Sequence, residues 1–318
     1  MKKQSWKKEF ATLILNDATE QQAMDLKIQH FPHYLFRYGR FDDKGFWEAP
    51  LLKHQLWLSS PQYFNDAFDC ELIMNNTIIE APFFQQMLKE QVQNKFPHYS
   101  ALLEEKQFNS TKDLLDWFCD ITNTEYSFFR PNHKKLSSEV LTKKILDIFN
   151  KVSIGGLKVL CFSEVYDSPI MWAHYANYHH GFCIGYDFME DTRTKTSGKG
   201  GPLFPNIWPV IYQHQRVDFG ELCKQGKLAS VTNATLFKSR EWKYEKEWRL
   251  VWSDYYNRIG SYVKDGGCMR VVYLGAKTDM ASKNVKRLLR HANHMEVPVF
   301  KMQLSDSLYR LIPIQING

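Results

Sequence analysis

The sequence predicts an α+β fold, a mixed and mainly antiparallel sheet with a helical insertion over about residues 80–152. Three observations carry this. Short runs rich in aromatic and branched apolar residues recur on both sides of that insertion, as strands do. They do not alternate strictly with helices, which a doubly wound sheet would require. Within the insertion the apolar residues fall at helical spacing instead. Hydrophobic residues make up 44% of the 318 and charged residues 24%, a balance that excludes a mainly disordered or fibrous chain.

Residues 1–33 read as an N-terminal extension and 34–318 as one domain. Tyr34 to Arg40 is a first strand, stopped by a turn at Phe41-Asp-Asp-Lys-Gly45; Gln55 to Ser60 is a second, stopped by Pro61. Residues 62–69 form a loop rich in aromatics and Asn/Asp. Helices are expected at Ala81–Lys89, Asp113–Phe118 and Val140–Phe149, ending at Gly155-Gly156. Lys158–Ser163 is a strand, Pro169–Tyr178 a short helix and Gly181–Asp187 another strand. The Gly-rich polar run Thr194–Gly201 reads as a loop. Strands follow at Trp208–Gln213, Trp242–Ser253 and Met269–Leu274, then a basic helix at Ser282–His294. Val297–Gln303 and Leu308–Ile316 close the chain as strands.

The net charge of +6 is mildly basic; it favours anionic partners without identifying a nucleic-acid binder. Six cysteines spaced singly, with no Cys-x-x-Cys, fit reduced thiols in a cytoplasmic protein. No segment approaches the roughly 20 apolar residues of a membrane span, so no membrane partner is expected. The phosphate-loop, dinucleotide, nucleophile-elbow and His-Glu-x-x-His patterns are absent. His291 and His294 lack a nearby carboxylate or cysteine, and no metal is expected.

Three polar constellations remain. On a strand, Glu245, Glu247 and Arg249 share one face while Trp248, Leu250 and Trp252 share the other, which suits a cleft wall or a solvated ion-pair row. His174 and Tyr175 end the short helix that carries Trp172; His174 fits an acid/base group or a hydrogen-bonding core residue. The nearby Cys161 sits in an apolar strand and reads as core. The opening strands supply Arg37, Tyr38, Arg40, Ser59, Ser60, Asn65 and Asp66. Arginines beside aromatics suit a phosphate with a stacked base, or else Arg37 pairs with Asp66 or Asp69 and pins the loop.

Phe36-Arg-Tyr38, Leu56 to Asp69, Leu160-Cys-Phe-Ser163, Met171-Trp-Ala-His-Tyr-Ala176, His180 to Asp187 and Tyr244 to Leu250 together resemble the bacterial domain-of-unknown-function 2971 family, over about Tyr34 to Leu274. Ala67 stands where that family usually has proline. The family names no activity, and its members' mobile and defence-related genetic settings imply phage defence or a toxin. More distantly the chain is similar to ADP-ribosyltransferases, with Arg37, Ser59 (or Ser60) and Glu247 in their Arg, Ser and Glu places and Glu245 two residues before. That likeness implies NAD as a nucleotide substrate and a protein or nucleic-acid acceptor. Glu247 would stabilise the ribosyl cation and Glu245 would orient the acceptor. Arg37 would hold the pyrophosphate, Ser59 would brace the glutamate, and Tyr38 or Trp172 would stack on nicotinamide. The rival expectations are a nucleic-acid-binding module using Lys283, Lys286, Arg287 and Arg290, and a metal-independent nuclease using His174 and Glu247.

Overall fold

The computed structural model describes residues 6–16, 19–70, 82–129, 134–135, 137, 139–144, 147, 155–191, 196–197, 203–218, 233, 235–253, 262–264 and 268–316. The chain divides into two compact units. One comprises Met1–Met24, Cys70–Gly155 and Gln215–Phe237; the other comprises Asp25–Asp69, Gly156–His214 and Lys238–Gly318.

Among its described residues the first unit is mainly helical. Trp6–Ile14 buries Trp6, Phe10 and Ile14, one face at intervals of four. Helices Pro82–Lys95 and Thr111–Phe129 supply Phe84, Leu88, Val92, Leu114 and Leu115 to a second apolar cluster, which Leu103 of Ser100–Glu105 completes. These helices extend well beyond the expected Ala81–Lys89 and Asp113–Phe118, because apolar residues keep their period while the flanking polar residues disguise it. Part of the expected helix Val140–Phe149 lies outside the described residues, as does most of Thr194–Gly201. In the latter, Thr196–Ser197 pairs with Glu190–Asp191 as a short strand, a departure from the expected loop.

The second unit is built on an eight-stranded sheet. Its strands, numbered along the chain, are β1 (Leu35–Gly39), β2 (Leu157–Ser163), β3 (Phe182–Tyr186), β4 (Ile207–Pro209), β5 (Glu247–Ser253), β6 (Met269–Leu274), β7 (Val299–Leu304) and β8 (Leu311–Gln315). They lie in the order β8-β7-β6-β3-β1-β2-β5-β4. All neighbours are antiparallel except β6 and β7. That parallel pair needs a crossover, and helix Lys283–His294 provides it, burying Val285, Leu288 and Ala292. The fold is thus α+β with a mixed sheet, as the sequence predicts.

Helix Pro169–Tyr175 starts at a Ser168 cap and buries Met171 and Trp172. It ends earlier than expected, because Asn177, Tyr178 and His179 all adopt positive φ before β3 begins. Gly181, at the entry to β3, cannot carry a side chain: a Cβ there would lie 2.1 Å from the Gly39 carbonyl oxygen. In the sequence Trp208–Gln213 reads as one strand, but Val210 breaks it by donating its N–H to the Glu247 carbonyl (2.9 Å), so β4 and Ile211–Gln213 are separate.

One irregularity makes the site. β1 and β2 pair only at Phe36↔Ser163. Further along, Ser59 rather than β1 takes the edge of β2, through reciprocal backbone bonds with Val159 of 2.9 and 2.8 Å. The two central strands therefore part, and a cleft opens where their ladder would have continued.

Candidate functional site

The cleft encloses about 430 Å³ and is lined by residues of the second unit alone. Arg37 and Tyr38 come from β1, Cys161 and Ser163 from β2, Ser59, Asn65 and Asp69 from the lip, His174 and Tyr175 from the short helix, Lys238 and Glu245 from the approach to β5, and Glu247 from its first position.

At its floor lies a buried ion cluster of three carboxylates and two cations, Asp69, Glu245, Glu247, Lys238 and Arg249. Arg249 grips Asp69 with two parallel bonds of 2.7 Å and reaches Glu247 through Nε (2.7 Å) and Nη2 (3.1 Å). Lys238 Nζ donates to Glu245 (2.6 Å) and Glu247 (3.0 Å) and lies 3.4 Å from Asp69. The Glu247 N–H donates to the Tyr212 hydroxyl (2.7 Å), and Ser163 Oγ donates to the Glu245 carbonyl (2.6 Å).

Glu245 is not on the strand. It ends a short 3-10 turn, Arg240–Glu245, and Lys246 in the left-handed region (φ 45°) turns the chain into β5. The expected strand from Trp242 thus starts only at Glu247. The two glutamates still converge, because the turn folds Glu245 back onto the same ammonium. Glu247 and Arg249 do share a face, with Trp248 and Leu250 buried on the other.

The two carboxyls have opposite electrostatics. Burial pushes Glu247 up, but Arg249 and Lys238 outweigh it and hold the carboxyl at about 2. Burial and the neighbouring Glu247 raise Glu245, and Lys238 offsets them only in part. Tyr175 donates to Glu245 Oε1 at 2.5 Å and also bonds Asn65; burial and that carboxylate raise its hydroxyl. Cys161 is not the core residue expected: it is half-buried on the cleft wall beside Glu247, and burial and that carboxylate raise its thiol well above the ordinary range.

Arg37 does not pin the loop. Asp69 is held by Arg249 and Lys238, and among the described residues Arg37 makes no ion pair; burial lowers its pKa, and Tyr186 and Cys161 offset that only in part. It projects into the cleft as a half-buried cation. Tyr38 lines the cleft with its hydroxyl on the Val165 carbonyl (2.9 Å), and exposed His174 stands at the rim against the Tyr244 hydroxyl (3.2 Å).

Other expected residues fall elsewhere. Trp172 is fully buried, with Nε1 on the Tyr166 carbonyl (2.7 Å), and lies in the core rather than at the cleft. Arg40 is exposed beyond the end of β1; Ser60 is buried beside the lip; Asp66 caps the Phe68 N–H (3.0 Å). Ser59 lines the cleft, but the groups bracing Glu247 are Lys238, Arg249 and Tyr212. Lys238 and Tyr212 escape sequence reasoning; the only signal for a buried cation was that Glu245 and Glu247 would otherwise repel. Among the described residues no cluster of His, Cys, Asp or Glu suits a metal, and no helix is long and apolar enough to cross a membrane.

The model of the family described as Protein of unknown function (DUF2971) matches residues 171–250. No curated protein and no solved structure matches the chain. The matched span carries His174, Tyr175, Lys238, both glutamates and Arg249, while Arg37, Ser59 and Asp69 lie before it. Over this span, which holds most of the ion cluster, the chain is similar to that family.

Proposed function

We propose that the cleft cleaves the nicotinamide–ribose bond of NAD and passes the ADP-ribosyl group to water or another acceptor. The observation carrying this reading is the pair of adjoining cleft carboxyls whose surroundings drive their proton affinities apart, one kept ionised and one raised. Such a division assigns roles at a glycosidic bond. The ionised Glu247 stabilises the positive charge that builds on the ribose as the C–N bond breaks and its electron pair returns to the nicotinamide ring. Glu245 accepts the proton of the attacking hydroxyl as the new C–O bond forms. Tyr175 and Lys238 orient Glu245 from either side. Arg37, which makes no ion pair among the described residues, faces the pyrophosphate, and Tyr38 offers a ring on the same cleft.

The test is NAD consumption by purified protein, with a cell lysate supplied as acceptor. Glu247→Gln loses at least about 100-fold in turnover, the scale of removing one charge-stabilising group. Since Glu245 acts ionised, the rate climbs as pH rises through its raised pKa, and Glu245→Gln removes that limb. Intact NAD with the wild-type protein would end this reading, as would an unchanged rate in Glu247→Gln.

A further inference from the structure

The helix Lys283–His294 carries no acidic residue. Its buried side is Val285, Leu288 and Ala292, while Lys283, Lys286, Arg287, Arg290 and His294 are exposed at spacings that align them along one face. Within the chain this arrangement is unfavourable. Cations three and four residues apart repel. Lys283 stands in the first turn, where the helix dipole is itself positive, and Ser282 makes no side-chain capping bond there. Among the described residues only Arg287 of the set forms an ion pair, with Glu48. A solubilising face mixes both signs; this one accumulates a single sign at a cost that an anionic partner would relieve.

We propose that this face binds the phosphate backbone of a nucleic acid. Four residues of helix rise about 6 Å, so Lys283 with Arg287 and Lys286 with Arg290 form two cation rows along a polyanion. A lipid surface fits less well: an amphipathic helix binds membranes by inserting its apolar side, and here that side is packed against the fold. With contacts only to phosphates, binding is independent of base sequence and strongly salt-dependent. This inference uses a surface outside the cleft and does not rest on the NAD reading.

The experiment is fluorescence polarisation of labelled single-stranded and duplex oligonucleotides with the full chain, between about 50 and 200 mM salt. The comparison is a Lys283→Gln/Lys286→Gln/Arg290→Gln variant, which keeps every buried residue of the helix and the Arg287–Glu48 pair; circular dichroism verifies that it is folded. The wild type binds with an affinity that falls steeply with salt. The variant binds at least about tenfold more weakly at low salt, and its slope of log affinity against log salt is shallower by about one for each cation removed. No wild-type binding at low salt, or equal affinity and slope in the variant, would overturn the proposal. So would variant-sensitive binding to phosphatidylserine vesicles without binding to either oligonucleotide, which would assign the face to a lipid surface.

Discussion

Lys238 gives the cleft its character, because one ammonium touches three carboxylates that would otherwise repel each other out of the fold. Burying it costs hydration, and burial alone would strip its proton; Glu247, Asp69 and Glu245 more than offset that and raise its pKa. The cluster works only as a set, since removal of one member leaves another charge buried without compensation. Asp69 shows this most directly. Asp69→Asn removes the charged two-point grip on Arg249, which is fully buried, and takes one carboxylate from that guanidinium while Glu247 remains. The expected cost is about 3 kcal/mol in urea unfolding, the range for breaking a buried pair from one side. A loss under about 0.5 kcal/mol would mean that the grip contributes no more than an exposed pair does. The sequence offers Asp69 to the nearer Arg37 and asks for a cation between Glu245 and Glu247, but the true partners escape it, since Asp69 and Arg249 are 180 positions apart. Trp172 failed for the opposite reason. An aromatic beside a histidine suits a stacking platform and a core equally, and only the packing of its ring and the bond to Tyr166 separate the two.

Among the elements, most strands defined by apolar alternation or a continuous apolar run are legible within a residue or two, although Gln55–Ser60 ends at Trp57 and Leu308–Ile316 starts only at Leu311. Met269–Leu274 was read at its true limits because both of its faces are covered. Boundaries set by backbone conformation were not legible, as at Lys246 and at the left-handed residues Asn177 to His179, since ordinary side chains there give no glycine signal. The opening between β1 and β2 was equally hidden, because it results from Ser59 displacing β1. The outer edge of the sheet follows a different rule. Ile316 donates its N–H to the Val299 carbonyl (2.9 Å), which fixes the phase of β8. Ile312 and Ile314 therefore bond inward to β7, and Pro313 presents its missing N–H to the open edge. Exposed Leu304, Leu308, Tyr309, Ile314 and Ile316 surround it, so an unguarded edge here would invite a second chain. Pro313→Val restores the donor and should raise the weight-average mass, measured by light scattering over a concentration series, above that of wild type. Identical masses would show that the proline is not what guards this edge.

For the whole molecule, the ion cluster links stability to pH with two opposing signs. Glu245 has a folded pKa raised above its ordinary value, so folding takes up a proton there. Its contribution is present in full below about 4.5, the unfolded value, and is lost as pH rises through the raised folded value. Glu247 is the reverse: held at about 2 when folded, it stabilises fully above about 4.5 and loses that contribution as pH falls towards 2. Acidification from neutrality therefore first relieves Glu245 and then undermines Glu247, so the cluster contributes most on the mildly acidic side. The chain's other carboxylates add their own acid limb, which makes the difference between wild type and variant the informative quantity. Glu247→Gln lowers stability at pH 6, because Arg249 and Lys238 each lose a partner, but it also removes the proton uptake between about 4.5 and 2. The deficit of the variant, read from urea unfolding at pH 6, 4.5 and 3, should accordingly narrow as the pH falls. A deficit that stays constant would mean Glu247 titrates alike in the folded and unfolded chain. It would then lack the depressed proton affinity on which its assignment as the charge-stabilising carboxylate depends.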